Sequence, residues 1–357
     1  MTGGKDMYFP VVGMDSLLRE AHRLLSGDHQ ADRVAVQDRL LLQRILRRRE
    51  GVDDDGVTGD GPAGEGILRK VEDFHSTCNL CTFGEMQFFP SDILRPYVKS
   101  YAVITIDKDL KDEVFYPSGY VDWVINISEG VATTNIDGRS RRLPQVELLG
   151  HLTRPSRLSV SRGTSILIAR IYPHAGGLFF PNPMAEFTNF ATDAYGIFSR
   201  EIDDFYSGLM EAGSLAEQVG ALDRFLVEKL KKNERRYRKS AIVHEVCAHL
   251  FRTGDAFDSE ALSDSYGLSE RYIQQLFVDT VGISPTALFS VHRFNKSLQL
   301  VLASDRSLTS IAYDCGYYDQ AHFIREFRKF TGITPFAARA SLFAGGEDFQ
   351  QAVNIGF

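Results

Sequence analysis

Two short stretches in the last third of the chain carry side chains suited to reading the edge of a base pair. Arg271, Gln274 and Gln275 form the first group, and Gln320, Ala321, Ile324, Arg325 and Arg328 form the second, about fifty residues later. An arginine fork matches the O6 and N7 acceptors of guanine. A glutamine amide matches the donor and acceptor of adenine. Within each group the spacing is that of one helix face. Any solvated helix face also tolerates Arg and Gln, so residue type alone does not separate a base reader from plain surface. The elements that hold these residues decide.

Those elements repeat. Tyr266-Gly267-Leu268 leads to Leu276-Phe277 and then to Gly282-Ile283-Ser284-Pro285. Cys315-Gly316-Tyr317 leads to Glu326-Phe327 and then to Gly332-Ile333-Thr334-Pro335. Each copy reads as helix, glycine turn, helix and a closing Gly-x-Ser/Thr-Pro, the outline of a helix-turn-helix. Phe323, Phe327 and Phe330 recur at helical spacing and are expected to bury the inner face of the second reading helix. Ile273, Leu276 and Phe277 do the same in the first. Seven helices are expected: 241–251, 259–266, 269–281, 285–304, 308–314, 319–331 and 335–341. Ser284, Ser307 and Thr334 stand at N-cap positions. The fourth helix joins the two units. At ~1.5 Å per residue its reach is roughly 30 Å, against ~34 Å between successive major grooves. Arg293, set among Leu288, Val291 and Phe294, reads as a brace between the halves rather than a phosphate contact.

Residues 259–339 resemble the DNA-binding domain of the AraC/XylS transcription-regulator family. The resemblance is carried by Arg293 to Leu302 in the joining helix, by Leu308 to Tyr317, and by Phe323 to Pro335. It implies two helix-turn-helix units on one helix, double-stranded promoter or operator DNA as partner, and RNA polymerase as a further partner by analogy. It also implies activation more than repression. Ser263 stands where the family prefers alanine, and Asp279 where it is often basic.

The expected fold class is α+β and multidomain: a β-barrel or jelly-roll-like sensor domain, then an all-α domain with two helix-turn-helix units. Residues 1–85 form a leader of helix and loop, 86–232 a cupin-like sensor or dimerisation domain, 233–341 the DNA-binding domain, and 342–357 a tail. β-branched and aromatic runs at 98–106, 121–127, 157–161 and 165–172, separated by turn residues, predict the strands. Phe88-Phe89-Pro90, Leu94 to Tyr101, Tyr116 to Asp122 and Gly150 to Pro155 resemble a cupin-like sensor domain found in some AraC-type proteins. A barrel interior is the natural cavity for an effector. Tyr101, Tyr116, Trp123, Arg170 and His174 are the candidates to line it, or else its aromatics are simply core. Leu215, Val219, Leu222, Leu226 and Leu230 form one apolar stripe, either packed on its own domain or serving a homodimer.

Composition sets outer bounds. The chain has 357 residues and a net charge of −7. Basic and acidic residues balance, eight of each, between Glu260 and Arg339, and only the linker Lys231–Lys239 is strongly basic. That predicts modest non-specific affinity for DNA. No apolar run is long enough to span a bilayer, no signal peptide opens the chain, and four cysteines do not make a disulfide framework. The cytoplasm is the default location, and no cofactor is expected. His75, Cys78 and Cys81 offer three soft ligands where a structural zinc site wants four. His151 and His174 form no His-x-His pair. An enzyme of cupin or DNA-repair type coupled to DNA binding, which would need a metal or a reactive thiol, is the alternative. A module whose helices bind protein is another.

Overall fold

Period-two alternation makes the middle of this chain a two-sheet structure, and its inner and outer faces can be read strand by strand. The computed structural model describes residues 83–136, 139–233, 236–253, 260, 263–264 and 267–342. The leader helix at 15–49, the loop at 53–66, His75, Cys78, Cys81, the tail beyond 342 and most of the helix expected at 259–266 lie outside the described residues. Among the described residues there are ten strands: β1 (Phe83–Phe88), β2 (Val98–Ile106), β3 (Leu110–Phe115), β4 (Val121–Asn126), β5 (Ala132–Ile136), β6 (Arg139–Arg142), β7 (Val146–Leu149), β8 (Ser156–Val160), β9 (Ser165–Ile171) and β10 (Ala191–Asp193). One sheet has the order β1-β2-β9-β4-β7-β10 and the other β3-β8-β5-β6. Every strand pair is antiparallel.

The larger sheet is covered on both faces. Ile104, Ile106, Ile166, Ile168, Val124 and Leu149 point toward the smaller sheet. Tyr101, Val103, Trp123, Ile125, Leu148, Leu167 and Ala169 point the other way, into a core shared with helices. Those helices are α1 (Gly176–Phe179), α2 (Ala194–Phe198), α3 (Arg200–Met210) and α4 (Leu215–Lys232). The stripe Val219, Leu222, Leu226 and Leu230 on α4 is fully buried in this core, so it packs on its own domain. A sheet buried on both sides needs apolar residues on both, which is why β2, β4 and β9 stand out in the sequence. The smaller sheet is half solvated. All four residues of β6 are exposed, and β3 is buried only at its ends. Such strands carry little hydrophobic signal, and β3, β5 and β6 were not expected; nor were β1, β7 and β10 of the larger sheet, of which β1 and β10 are its edges and β7 has four residues. β1 begins at Phe83, ahead of the residue-86 boundary, because its whole length pairs with β2.

The C-terminal part is helical: α5 (Tyr237–Thr253), α6 (Glu270–Thr280), α7 (Pro285–Ala303), α8 (Leu308–Asp314), α9 (Gln320–Thr331) and α10 (Pro335–Leu342). Two apolar clusters serve the two halves. Ile242, Val243 and Val246 of α5 pack with Ile273, Leu276, Phe277 and Leu288. Val291, Phe294 and Leu298 of α7 pack with Ile311, Phe323, Phe327 and Phe330. The joining helix α7 thus contributes to both cores, N-terminal residues to one and C-terminal residues to the other. The chain therefore has a β-sheet-rich N-terminal domain and a helical domain after it.

Candidate nucleic-acid interface and sensor cavity

Both helices expected to read DNA, α6 and α9, start on a side-chain cap. Ser269 Oγ accepts from the backbone N–H of Tyr272 at 3.2 Å, and Asp319 Oδ1 from that of His322 at 2.6 Å. The turns ahead of them place Gly267 at φ 63° and Gly316 at φ 74°, in the left-handed region that glycine enters without cost. In the first unit Ser263 Oγ donates to the carbonyl of Leu268, so the hydroxyl that replaces the family's alanine is used to close the turn. Asp279 accepts from Gln275 Nε2 at 2.9 Å, so this acid is partnered on its own helix.

Burial sorts the faces. Ile273, Leu276 and Phe277 of α6 and Phe323, Phe327 and Phe330 of α9 are inside. Arg271, Gln275, Gln320, Ala321, Arg325 and Arg328 are exposed, while Gln274 and Ile324 are half-buried. Gln320 Oε1 accepts from Thr309 Oγ1 at 2.7 Å, a bond across the second turn that fixes the start of α9.

Sequence reasoning saw Arg293 as a brace, and the geometry shows how it is made. Its Nε and Nη2 reach Glu326 Oε1 at 3.0 and 2.8 Å, and Nη2 also reaches Oε2 at 2.8 Å. The guanidinium lies 4.3 Å from the ring centre of Tyr317. A residue of α7 thereby grips the inner flank of α9 and the turn before it. Glu326, quoted in the repeat but given no role there, is the partner; an acid amid exposed basic residues was the available signal.

The second site lies between the two sheets. A cavity of about 90 Å³ is lined by Ile104, Ile106, Phe115, Val124, Leu149, Leu158, Val160, Ile166 and Ile168, with Asp122, Glu147 and Arg170 as its charged members. Asp122 and Arg170 face each other across β4 and β9, Nε–Oδ1 2.9 Å and Nη2–Oδ2 3.0 Å, with both side chains almost fully buried. Burial lifts the Glu147 carboxyl to about 8, with Arg141 opposing and Asp193 adding to the rise.

Of the five residues expected to line an effector cavity, Arg170 does. The other four are placed elsewhere. Trp123 neighbours Asp122 on β4 and so faces the opposite side, stacked on Phe198 and edge-on to Phe180 and Phe225. Tyr101 also faces the helices and donates to Asp223 of α4 at 2.8 Å. Tyr116 follows Phe115 and meets Phe294 of α7 edge-on at 6.2 Å. His174 is buried against His244 of α5, with ring nitrogens 3.2 Å apart, and its Nε2 is 3.0 Å from the Pro96 carbonyl. Burial, reinforced by His244, holds the His174 imidazole well below its ordinary pKa. The missed lining residue is Glu147, which sits in a short strand with no clear pattern.

Tyr116 and His174 belong to a seam between the two domains. Asn295 Nδ2 donates to the carbonyls of Pro117 at 3.0 Å and Ser118 at 3.2 Å. Thr188 Oγ1 donates to Gly282 at 2.8 Å, and Arg236 donates to the carbonyls of Gly177, Phe180 and Pro181. Gly282, at φ 96°, has no room for a side chain: a Cβ there would lie 2.6 Å from the Met184 carbonyl oxygen.

Two thiols are described. Burial pushes Cys247 up, and Cys315 to about 11, so neither is a ready nucleophile. Among the described residues no three His, Cys, Asp or Glu side chains gather as a metal site, and no helix is long and apolar enough to cross a membrane.

Comparison with known proteins places these features. Residues 262–341 match a helix-turn-helix domain, and residues 86–193 match a domain of unknown function, DUF6597. The HTH-type transcriptional regulator ExsA of Pseudomonas aeruginosa is 34% identical over 77 residues, 22% of this chain and 28% of that protein. The HTH-type transcriptional activator RhaS of Escherichia fergusonii is 33% identical over 81 residues, 23% of this chain and 29% of that protein. These matches span under a third of either relative's length. Among solved structures, ToxT from Vibrio cholerae O395 aligns with a TM-score of 0.38 at 13% identity, covering 70% of this chain and 99% of that one. The DNA-binding domain of AdpA in complex with a target DNA aligns with a TM-score of 0.27 at 27% identity, covering 29% and 93%. In its C-terminal module, residues 262–341, this chain is thus similar to the helix-turn-helix domains of AraC/XylS-type regulators.

Proposed function

We propose that this protein is a sequence-specific DNA-binding transcription regulator whose two reading helices enter successive major grooves. The observation that carries this reading is the pair of capped helices with polar faces turned to solvent, Arg271 and Gln275 on α6 and Gln320, Arg325 and Arg328 on α9. Arg293 holds α9 to the helix that separates them. In this reading Gln274, Ala321 and Ile324 complete the reading faces. Activation is favoured over repression because RhaS, one of the similar proteins, is named an activator. RNA polymerase is then the natural further partner, and the regulator acts without enzymatic chemistry of its own. The boundaries 86–232 and 233–341 serve as the sensor and DNA-binding halves, and the sensor half is read as cupin-like. A homodimer remains part of the proposal, but it would use a surface other than the α4 stripe.

A small-molecule effector in the inter-sheet cavity would control the DNA-binding half. Support comes from residue order: Phe115 lines the cavity while the next residue, Tyr116, packs on Phe294 of α7. The test is binding of the full chain to a randomised DNA pool followed by salt titration of the selected sites. Two half-sites about one helical turn apart, with affinity falling steeply as salt rises, are expected. Recovery of no preferred sequence, or of one half-site whose affinity ignores the second unit, would overturn the reading.

A further inference from the structure

The inter-sheet cavity is apolar over most of its wall and acidic at one point. Asp122 is already matched there by the two hydrogen bonds of Arg170, so that pair is neutral as a unit. Glu147 is not matched. It is 5% exposed, it lies on the inward face of β7, and its Oε2 has no hydrogen-bond partner. A buried carboxyl oxygen left without a partner is destabilising. The packing of the two sheets gains nothing from it in return, since its direct partners on the neighbouring strands are Val124 and the like-charged Asp193.

Building on the effector reading above, we propose that the cavity takes a small primary amine with a branched or short aliphatic body, its nitrogen on Glu147 and its carbons against Ile104, Val124, Leu158 and Ile168. The size follows from the volume. An engineered cavity of about 150 Å³ holds benzene, so about 90 Å³ suits four or five non-hydrogen atoms. The charge follows from what is free. A carboxylate ligand would meet Glu147 and find the Arg170 fork already engaged by Asp122. An alcohol would satisfy one oxygen without balancing a charge, whereas an ammonium group does both.

The amine reading has a pH signature. The charged groups around Glu147 are Asp122 on β4, Arg170 on β9, Asp193 on β10 and Arg141 on β6. With the carboxyl raised to about 8 by burial, the empty site holds a proton at neutral pH. An arriving ammonium displaces that proton, so affinity rises up to about tenfold per pH unit toward pH 8. A neutral alcohol gives no such rise.

The experiment uses the full chain with isobutylamine, isobutanol and propionate, which have equal numbers of non-hydrogen atoms. Binding is read by thermal shift and by emission of Trp123, the single tryptophan, on the opposite face of β4 from Asp122. DNA affinity is measured in parallel. Isobutylamine is expected to bind best, with the stated rise between pH 6 and 8. Glu147→Gln is expected to lose at least tenfold while keeping native Trp123 emission, and the cavity-filling Leu158→Phe should lose binding of all three probes. Equal or tighter binding of isobutanol or propionate would overturn the amine assignment, as would unchanged amine binding in Glu147→Gln or failure of all three to bind. Amine binding that leaves DNA affinity unchanged would instead remove the effector reading and keep the ligand class.

Discussion

Replacing Arg293 with methionine separates a brace from a phosphate contact. Its guanidinium makes three contacts of 2.8–3.0 Å with Glu326, and the two side chains are 11% and 12% exposed. Breaking a buried ion pair from one side costs about 3–5 kcal/mol, because the remaining charge is stranded. Residual exposure of Glu326 puts the expected loss at the lower end, about 3 kcal/mol, with the stacking on Tyr317 adding about 0.5–1 kcal/mol. Removing both charges, as in the Arg293→Met, Glu326→Met pair, should recover about 2 kcal/mol, since two apolar side chains suit that flank. Urea unfolding of the four proteins of the cycle gives these values. DNA binding supplies the second readout. A brace lost from α9 lowers affinity but leaves the slope of log K against log salt unchanged. A lost phosphate contact lowers the slope by about 0.9 and leaves stability nearly untouched. Unchanged stability in Arg293→Met together with a reduced salt slope would refute the brace.

Other expectations follow from single positions. Arg325→Ala should weaken specific binding by about 1–3 kcal/mol and relax preference at one base position; anisotropy titrations against the selected site and its single-base variants test it, and unchanged affinity and preference would remove Arg325 from the readers. Gly332→Ala and Gly282→Ala both force an alanine into the left-handed region, about 1–2 kcal/mol each. At Gly332 the space is open, whereas at Gly282 the new methyl collides with the Met184 carbonyl. Urea midpoints should therefore fall clearly further for Gly282→Ala, and equal losses would deny the close approach at the seam. Between pH 4.5 and 8, stability should also peak near pH 6.5. Burial lowers the imidazole pKa of His151 and His292 to about 4, and that of His174 well below its ordinary value. Below pH 6.5 the unfolded chain therefore binds more protons at all three, and stability falls as pH falls. Glu147 works in the opposite sense, adding stability at low pH that is lost as pH rises from 4.5 to about 8. The acid limb then carries a net two protons, at most about 3 kcal/mol per pH unit. Glu147→Gln should steepen that limb and flatten the alkaline one, and identical profiles for the two proteins would contradict a buried, protonated Glu147.

The helical half was legible because its signals are local. Caps at Ser269, Ser284, Ser307, Asp319 and Thr334 lie next to the helices they start, and Phe323, Phe327 and Phe330 repeat at the period of the helix they bury. The expected ends of α7, α8 and α9 fall within one residue of those observed. The sheet half was legible in the doubly buried β2, β4 and β9 and in β8 of the solvated sheet, whereas the short β7, though buried, carries no readable pattern. The cavity lining was misjudged for a related reason: aromatic character marks burial, not direction. Tyr101, Tyr116 and Trp123 are all inside, but each faces away from the space between the sheets. One step along the strand from Tyr116 and Trp123 stand Phe115 and Asp122, which face into it. Register is set by pairing with distant β9 and β8, and no local pattern announces it.

That same alternation links the two sites. From Phe115 to Asp122 the chain leaves the cavity wall, touches α7 and returns. Phe115 lines the cavity, Tyr116 packs on Phe294, and the Pro117 and Ser118 carbonyls take the Asn295 amide. Gly119, at φ 81°, lies 3.4 Å by its built Cβ position from Val291, and Asp122 is back in the wall. Phe294 and Val291 flank Arg293 on the helix that braces α9. In the proposed effector reading, a molecule in the cavity needs no long path to α9, only a preference for one arrangement of this turn. Its leverage is bounded by that preference: a difference of about 1.4 kcal/mol between two seam arrangements changes DNA affinity tenfold, and a ligand indifferent to them changes nothing. Substitutions in the turn that leave the cavity and the reading faces intact, Asn295→Ala above all, should therefore alter the response of DNA binding to ligand more than either binding reaction alone.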